Sequence, residues 1–200
     1  MSSKPTIMKF GGTSVEDSAA FRNVAHIVNS AGPERIVVVV SAIGGFTDAL
    51  LSSVEQANDG DARTATRCLD QGFERHRAIA NQLLGGETKA QFEAALADAR
   101  DQIRELHKIV AAHPSTHAPL RDEIVAFGEL LSSQLLGAVL RENGLAARYV
   151  DARRLIKTDE SYGGAAPLRE TTIATQAALG PLIEVGEIPV VGGFIASTAK

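Results

Sequence analysis

The sequence predicts an α/β fold with a mainly parallel sheet, on three observations. Short apolar runs at residues 6–10, 36–40 and 188–191 are each followed closely by paired glycines, Gly11-Gly12, Gly44-Gly45 and Gly192-Gly193. Helical periodicity follows the first two of these turns. The run Ile36-Val37-Val38-Val39-Val40 is apolar without alternation, as in a strand covered on both faces. Repeated strand–glycine turn–helix units give a parallel sheet between helical layers, a three-layer αβα sandwich.

Residues 6–10 read as the first strand, bounded by Pro5 and Gly11-Gly12. Residues 17–30 place Ala20, Phe21, Val24, Ile27 and Val28 on one helical face, and Gly32-Pro33 ends that helix. Residues 46–57 read as a second helix. Residues 61–113 carry no strand signal, and two long helices with charged faces are expected on either side of Gly85-Gly86. They read as a helical insertion at about 60–115 within one unit covering residues 1–200. After the break at His113-Pro114-Ser115, residues 118–141 form a helix with a wide apolar face, from Leu120 and Ile124 through Leu135 to Val139. A strand at 147–150, a glycine-rich loop at 158–167, a helix at 170–178 and the strand at 188–191 complete the chain.

The bulk properties exclude several classes. In 200 residues, 44% are hydrophobic and 22% charged, ordinary values for a globular domain. A net charge of -4 argues against a nucleic-acid partner, which selects a basic surface. No continuous apolar run approaches the roughly 18 to 20 residues of a membrane helix, so no membrane partner is expected. The first five residues lack the apolar stretch of a signal peptide. Cys68 has no partner for an internal disulfide, which fits a reducing, cytoplasmic setting and a structural thiol.

Four stretches could carry chemistry. In Lys9-Phe10-Gly11-Gly12-Thr13-Ser14 a lysine ends a strand and two glycines open the next turn. Glycines let backbone N–H groups approach an anion, and the lysine adds a full charge, which suits polyphosphate. The alternative is a tight turn with a capping serine and a solvent-facing lysine. No Walker or dinucleotide fingerprint is present. The stretch from Val40 to Asp48 places Ser41 and Thr47 at the carboxyl end of a buried strand, where open α/β sheets bind ligands, although an ordinary strand-to-helix turn has the same composition. Glu129, beside Gly128 in an apolar helix, either accepts a ligand's ammonium or sits on an exposed polar stripe. Asp151-Ala152-Arg153, Thr158-Asp159 and Gly163 to Pro167 read as a functional loop or as surface turns. His113 and His117 are four apart, but Pro114 disrupts a helical ligand pair, and no metal-ligating residues are assigned.

Taken in order, KFGGTSV, VVVVSAIGGFTD, FGELLSS, DARRLIKTDESYGGAAP and IPVVGGFIAST resemble the aspartate kinases of the amino-acid kinase superfamily, from about Thr6 to Thr198. The resemblance implies the amino-acid kinase fold and ATP-dependent phosphorylation of the side-chain carboxylate of L-aspartate to 4-phospho-L-aspartate. That reaction is the first step towards lysine, threonine and methionine. It implies ATP with Mg²⁺, and a homo-oligomer at full length. Lys9, Phe10, Gly11, Gly12 and Ser41 would contact ATP, with Lys9 also catalytic. Thr47, Glu129 and Phe194 would hold the substrate, Glu129 at its ammonium. Asp48, Leu130 and Tyr162 depart from the family's usual asparagine, arginine and phenylalanine. A Gly-Arg-Gly-Gly-Ser-Asp stretch, the nucleotide-base half and regulatory ACT domains would lie beyond Lys200. The last strand is therefore expected to be exposed, and residues 1–200 alone are expected to be inactive. The alternatives are another carboxylate kinase of this fold and a non-catalytic oligomerisation or regulatory fragment.

Overall fold

The computed structural model describes residues 4–32, 35–113 and 117–199. Among the described residues the strands are β1 (Thr6–Phe10), β2 (Ile36–Val40), β3 (Ala147–Val150), β4 (Lys157–Thr158), β5 (Ile188–Gly192) and β6 (Ser197–Thr198). The four longer ones make one sheet in the order β1-β2-β5-β3. Every pairing in it is parallel, with Phe10 opposite Val40 and Val40 opposite Gly192. β4 and β6 form a separate parallel pair. The β-branched run of β2 is buried almost throughout, as its lack of alternation predicts.

Among the described residues the α-helices that connect and cover these strands are α1 (Ser18–Ser30), α2 (Phe46–Asn58), α3 (Ala62–Arg67), α4 (Asp70–Leu83), α5 (Gly86–Ala112), α6 (His117–Glu142) and α7 (Glu170–Glu184). Asp17 caps α1, its Oδ1 accepting the Ala20 N–H at 2.8 Å. α6 packs on β2, β3 and β5, and on α1, α2, α4 and α5 around its rim. α7 packs on β5. Neighbouring Val190 and Val191 point to opposite faces of β5 and are both buried, so this strand is covered on both sides.

Several expectations are corrected. The last long strand is not exposed: β5 lies in the middle of the sheet, and the edges are β3 and β1, where Ile7 is 68% exposed. The first of the two expected helices is broken into α3 and α4 at Cys68-Leu69. Leu69 is fully buried there, and the turn lets it drop into the core. Cys68 caps α3 and donates its thiol to the Ala65 carbonyl, while burial pushes its pKa up. α7 runs past residue 178 through Gly180-Pro181. Proline forfeits one hydrogen bond there, but Leu179 and Ile183 are buried on either side of it. Over Ala118–Glu142, α6 meets the length and composition of a membrane span at mean hydropathy 1.4. Glu129, Ser132 and Ser133 interrupt the run in sequence without lowering that mean far, and 83% of the window is buried inside the protein, as in a core helix. Pro33, Pro114 and Ser115 lie outside the described residues, as does the side chain of His117.

Candidate functional site

The parallel register brings the carboxyl ends of β1, β2 and β5 side by side. The Ser41 N–H donates to the Phe10 carbonyl at 3.1 Å, and the Gly193 N–H donates to the Val40 carbonyl at 2.8 Å. Three glycine-containing loops therefore leave the sheet together. This is the end at which open α/β sheets bind ligands.

The loop after β1 turns at once into a 3-10 helix, Gly12–Val15. A Cβ on Gly12 would stand 3.0 Å from the Ala42 carbonyl, so only glycine lets the first loop lie against the second. A Cβ on Gly11 would meet nothing within 4 Å, which leaves open space above that backbone. Lys9 is exposed, with Nζ 5.4 Å from the centre of the Phe194 ring. Phe194 is itself 90% exposed and holds φ 56°, a left-handed backbone that costs a phenylalanine energy. A strained, exposed aromatic over a lysine suggests a site rather than packing.

The loop after β2 ends at Gly45, whose φ of 79° starts α2. Thr47, half-buried, and Asp48, exposed, lie in the first turn of α2. The N–H groups of that turn have no acceptor within the helix, and Asp48 is a favourable charge there. Ser132 on α6, fully buried, donates to the Ser41 carbonyl at 2.7 Å and fixes this loop from below.

Glu129 is the buried charge of the site. A Cβ at Gly128 would stand 2.8 Å from the Ala42 Cβ, and one at Gly192 would stand 3.0 Å from the Glu129 Cβ. These two glycines let α6 approach the ends of β2 and β5 closely, which carries Glu129 to them. Only 7% of the residue is exposed. Burial pushes its carboxyl pKa up, and the Ala42 N–H donating to it offsets part of that rise. Among the described residues no basic side chain pairs with it. A buried carboxylate without a cation is costly, and a ligand's cation would relieve that cost.

Lys9, Phe10, Gly11, Gly12, Ser41, Thr47, Glu129 and Phe194 all lie on or beside these loop-bearing strand ends. The Asp151 stretch is arranged differently. Asp151 and Arg153 pair with each other at 2.8 Å and line a cleft of about 570 Å³ with Phe127 and Leu130, away from those residues. The Gly163 N–H is held by Asp122 at 2.6 Å, and Tyr162 is 43% exposed. Sequence reasoning missed Arg75, which bonds to both glycine loops, and Ser132. Nothing in an amphipathic helix marks one arginine of its polar face as reaching back to a loop.

Residues 4–200 match the model of the amino acid kinase family. Lysine-sensitive aspartokinase 3 of Escherichia coli (strain K12) is 31% identical over 201 residues, 99% of this chain and 42% of that protein. A bifunctional aspartokinase/homoserine dehydrogenase 1 of Zea mays chloroplasts is 32% identical over 98% of this chain and 21% of its own length. The crystal structure of E. coli aspartokinase III in complex with aspartate and ADP, its R-state, superimposes with a TM-score of 0.86. It is 30% identical over 98% of this chain and 42% of that one. The chain thus spans between 21% and 42% of the length of these curated relatives. With its parallel αβα sheet and its glycine loops at one end of it, this chain belongs to the amino acid kinase family.

Proposed function

We propose that this chain is the amino-terminal part of an aspartate kinase, which transfers the γ-phosphoryl group of ATP to the side-chain carboxylate of L-aspartate. The observation that carries the proposal is Glu129, buried and unpaired beside the loop that carries Ser41 and Thr47, at the same sheet end as Lys9 and its glycines. A pocket for a free amino acid needs an anion for its ammonium, and a phosphoryl donor needs cations and bare N–H groups. The E. coli relative binds aspartate and ADP, which supports this division of roles.

In the proposed reaction a carboxylate oxygen of aspartate attacks the γ-phosphorus, the bond to ADP breaks, and 4-phospho-L-aspartate forms. Such transfer needs positioning and charge neutralisation more than covalent catalysis. Lys9 neutralises charge on the transferred group, and Phe10, Gly11, Gly12 and Ser41 form the floor beneath the phosphates. Glu129 holds the substrate ammonium, Thr47 its polar end, and Phe194 lines the amino-acid pocket. Mg²⁺ comes with ATP, held chiefly by phosphate oxygens and water. The open space over Gly11 and the crowding at Gly12 fit a polyphosphate lying on that loop. We further propose that the enzyme works in the cytoplasm as a homo-oligomer, on the route to lysine and threonine, and that residues 1–200 alone do not turn over.

The test is formation of aspartyl-hydroxamate from ATP, hydroxylamine and a panel of amino and carboxylic acids. It uses a protein that carries this chain joined to a downstream nucleotide half like that of the E. coli relative. Turnover with aspartate, and none with acids that lack the ammonium, is the expected result. Preference for a substrate without an ammonium would refute the role of Glu129. Robust turnover by residues 1–200 alone would refute the need for further sequence.

A further inference from the structure

The helices between the second and third strands reach back to the site through Arg75. A Cβ at Gly72 would stand 2.2 Å from the Phe46 ring, so the glycine lets α4 settle against the residue that opens α2. Phe73 and His76 complete that contact edge-on, with ring centroids 5.8 and 4.8 Å from Phe46. Arg75, on the same turn of α4, is thereby set over the mouths of two loops. Its Nη1 donates to the Gly44 carbonyl at 2.7 Å, and its Nη2 donates to the Glu16 carbonyl at 2.8 Å. One carbonyl belongs to the loop after β2, the other to the loop after β1. Among the described residues no carboxylate pairs with this guanidinium, so its charge stays uncompensated beside them.

We propose that Arg75 is a positioning residue of the polyphosphate site, holding the β1 and β2 glycine loops at one separation. The assignment rests on the proposed function for its ligand, but the clamp itself rests on geometry alone. A planar guanidinium can serve two carbonyls at once with a fixed spacing, which an ammonium on a flexible stem cannot do. A peptide is planar and trans, so fixing the Gly44 and Glu16 carbonyls also fixes the N–H groups of Gly45 and Asp17 on the opposite sides of those peptides. The side chain thus orients backbone donors without touching the ligand.

The experiment compares the chain with Arg75→Gln and Arg75→Lys. Amide hydrogen exchange is followed at residues 11–17, 43–48 and 70–83, and binding of inorganic tripolyphosphate and of Mg·ATP is followed by calorimetry. In Arg75→Gln both loops should exchange roughly tenfold faster together while α4 keeps its protection, and tripolyphosphate affinity should fall roughly tenfold, the scale of losing charge-assisted hydrogen bonds. Arg75→Lys, which keeps the charge but not the planar fork, should lose both the joint protection of the loops and much of the anion affinity. Unchanged loop protection, or faster exchange confined to α4, would overturn the clamp. Loosened loops with unaltered anion affinity would overturn its role in positioning. If the unmodified chain binds neither probe, the polyphosphate role given to these loops falls, and the exchange data alone decide whether the clamp exists.

Discussion

The sheet end and the helical layer handle polar groups in opposite ways. At the ends of β1, β2 and β5 the polar groups are mostly backbone, exposed or half-exposed, and spaced by glycines that leave room above them. In α2 to α5 the contrasting groups are Ser53, His76 and His107, polar side chains sealed in the core. His107 is fully buried, 2.9 Å from Ser53 Oγ through Nε2 and 3.0 Å from Thr66 Oγ1 through Nδ1, which ties α5 to α2 and α3. His76 is also fully buried, bonded through Nδ1 to the Gly72 carbonyl, and its Nε2 has no partner among the described residues. A ligand can complete the first arrangement. The second is tolerated in the core only while its histidines stay neutral. Chemistry is therefore expected to respond to changes at the sheet end, and acid stability to changes in the helices.

The largest effect should come from the sheet end. In the hydroxamate assay Lys9→Ala should lower kcat by about 10²- to 10³-fold, the range for removing a preorganised charge stabiliser. Thermal unfolding should barely move, because Lys9 is exposed. A near-normal rate would remove Lys9 from the mechanism.

Leu135 tests what the two regions share, since α6 packs against both strands and helices. It is fully buried, and Leu135→Ala should cost about 2–5 kcal/mol in urea unfolding. A loss below that range would show that the layers can collapse onto the gap.

Acid should separate the regions. Burial depresses the pKa of His76 and of His107 from 6.5 to about 4. The unfolded imidazoles take up protons near pH 6.5 and the folded ones only near pH 4, so stability is full above pH 6.5 and declines as pH falls towards 4. For His76 the loss by pH 5 is about 2 kcal/mol. Chemical denaturation at pH 7 and pH 5 checks this, and an unchanged midpoint would contradict the buried neutral state.

The smallest change is Gly128→Ala. The added methyl would meet Ala42 and push α6 from the β2 loop, at about 1–3 kcal/mol of overpacking. It should also raise the KM for aspartate more than that for ATP, because it displaces Glu129 rather than Lys9. Equal changes in both constants would argue against that division.

Much of this was legible in sequence because it is local. The strand-and-glycine units, α1, α2 and the long apolar α6 follow from periodicity and turn chemistry, and so do the loops that carry Lys9, Ser41 and Thr47. Whether Glu129 faced solvent or the core was open, because Gly128 permits a close approach that periodicity cannot show. The position of β1 at an edge was hidden too: its short run announces a strand, and only the pairing decides where that strand lies in the sheet. The break at Leu69, the passage of α7 through Pro181 and the reach of Arg75 all depend on tertiary partners far away in the chain. The left-handed backbone of Phe194 has no signature in a residue that avoids it.

The placement of β5 has a consequence for how the molecule is made. The strand translated last among the four fills the centre of the sheet, between β2 from near the start and β3. Until residues 188–192 emerge from the ribosome, β1–β2 and β3 have no common strand partner, and the third loop of the site is missing. Such long-range closure slows folding and leaves two strand edges waiting, a period when a nascent chain is most in need of a chaperone.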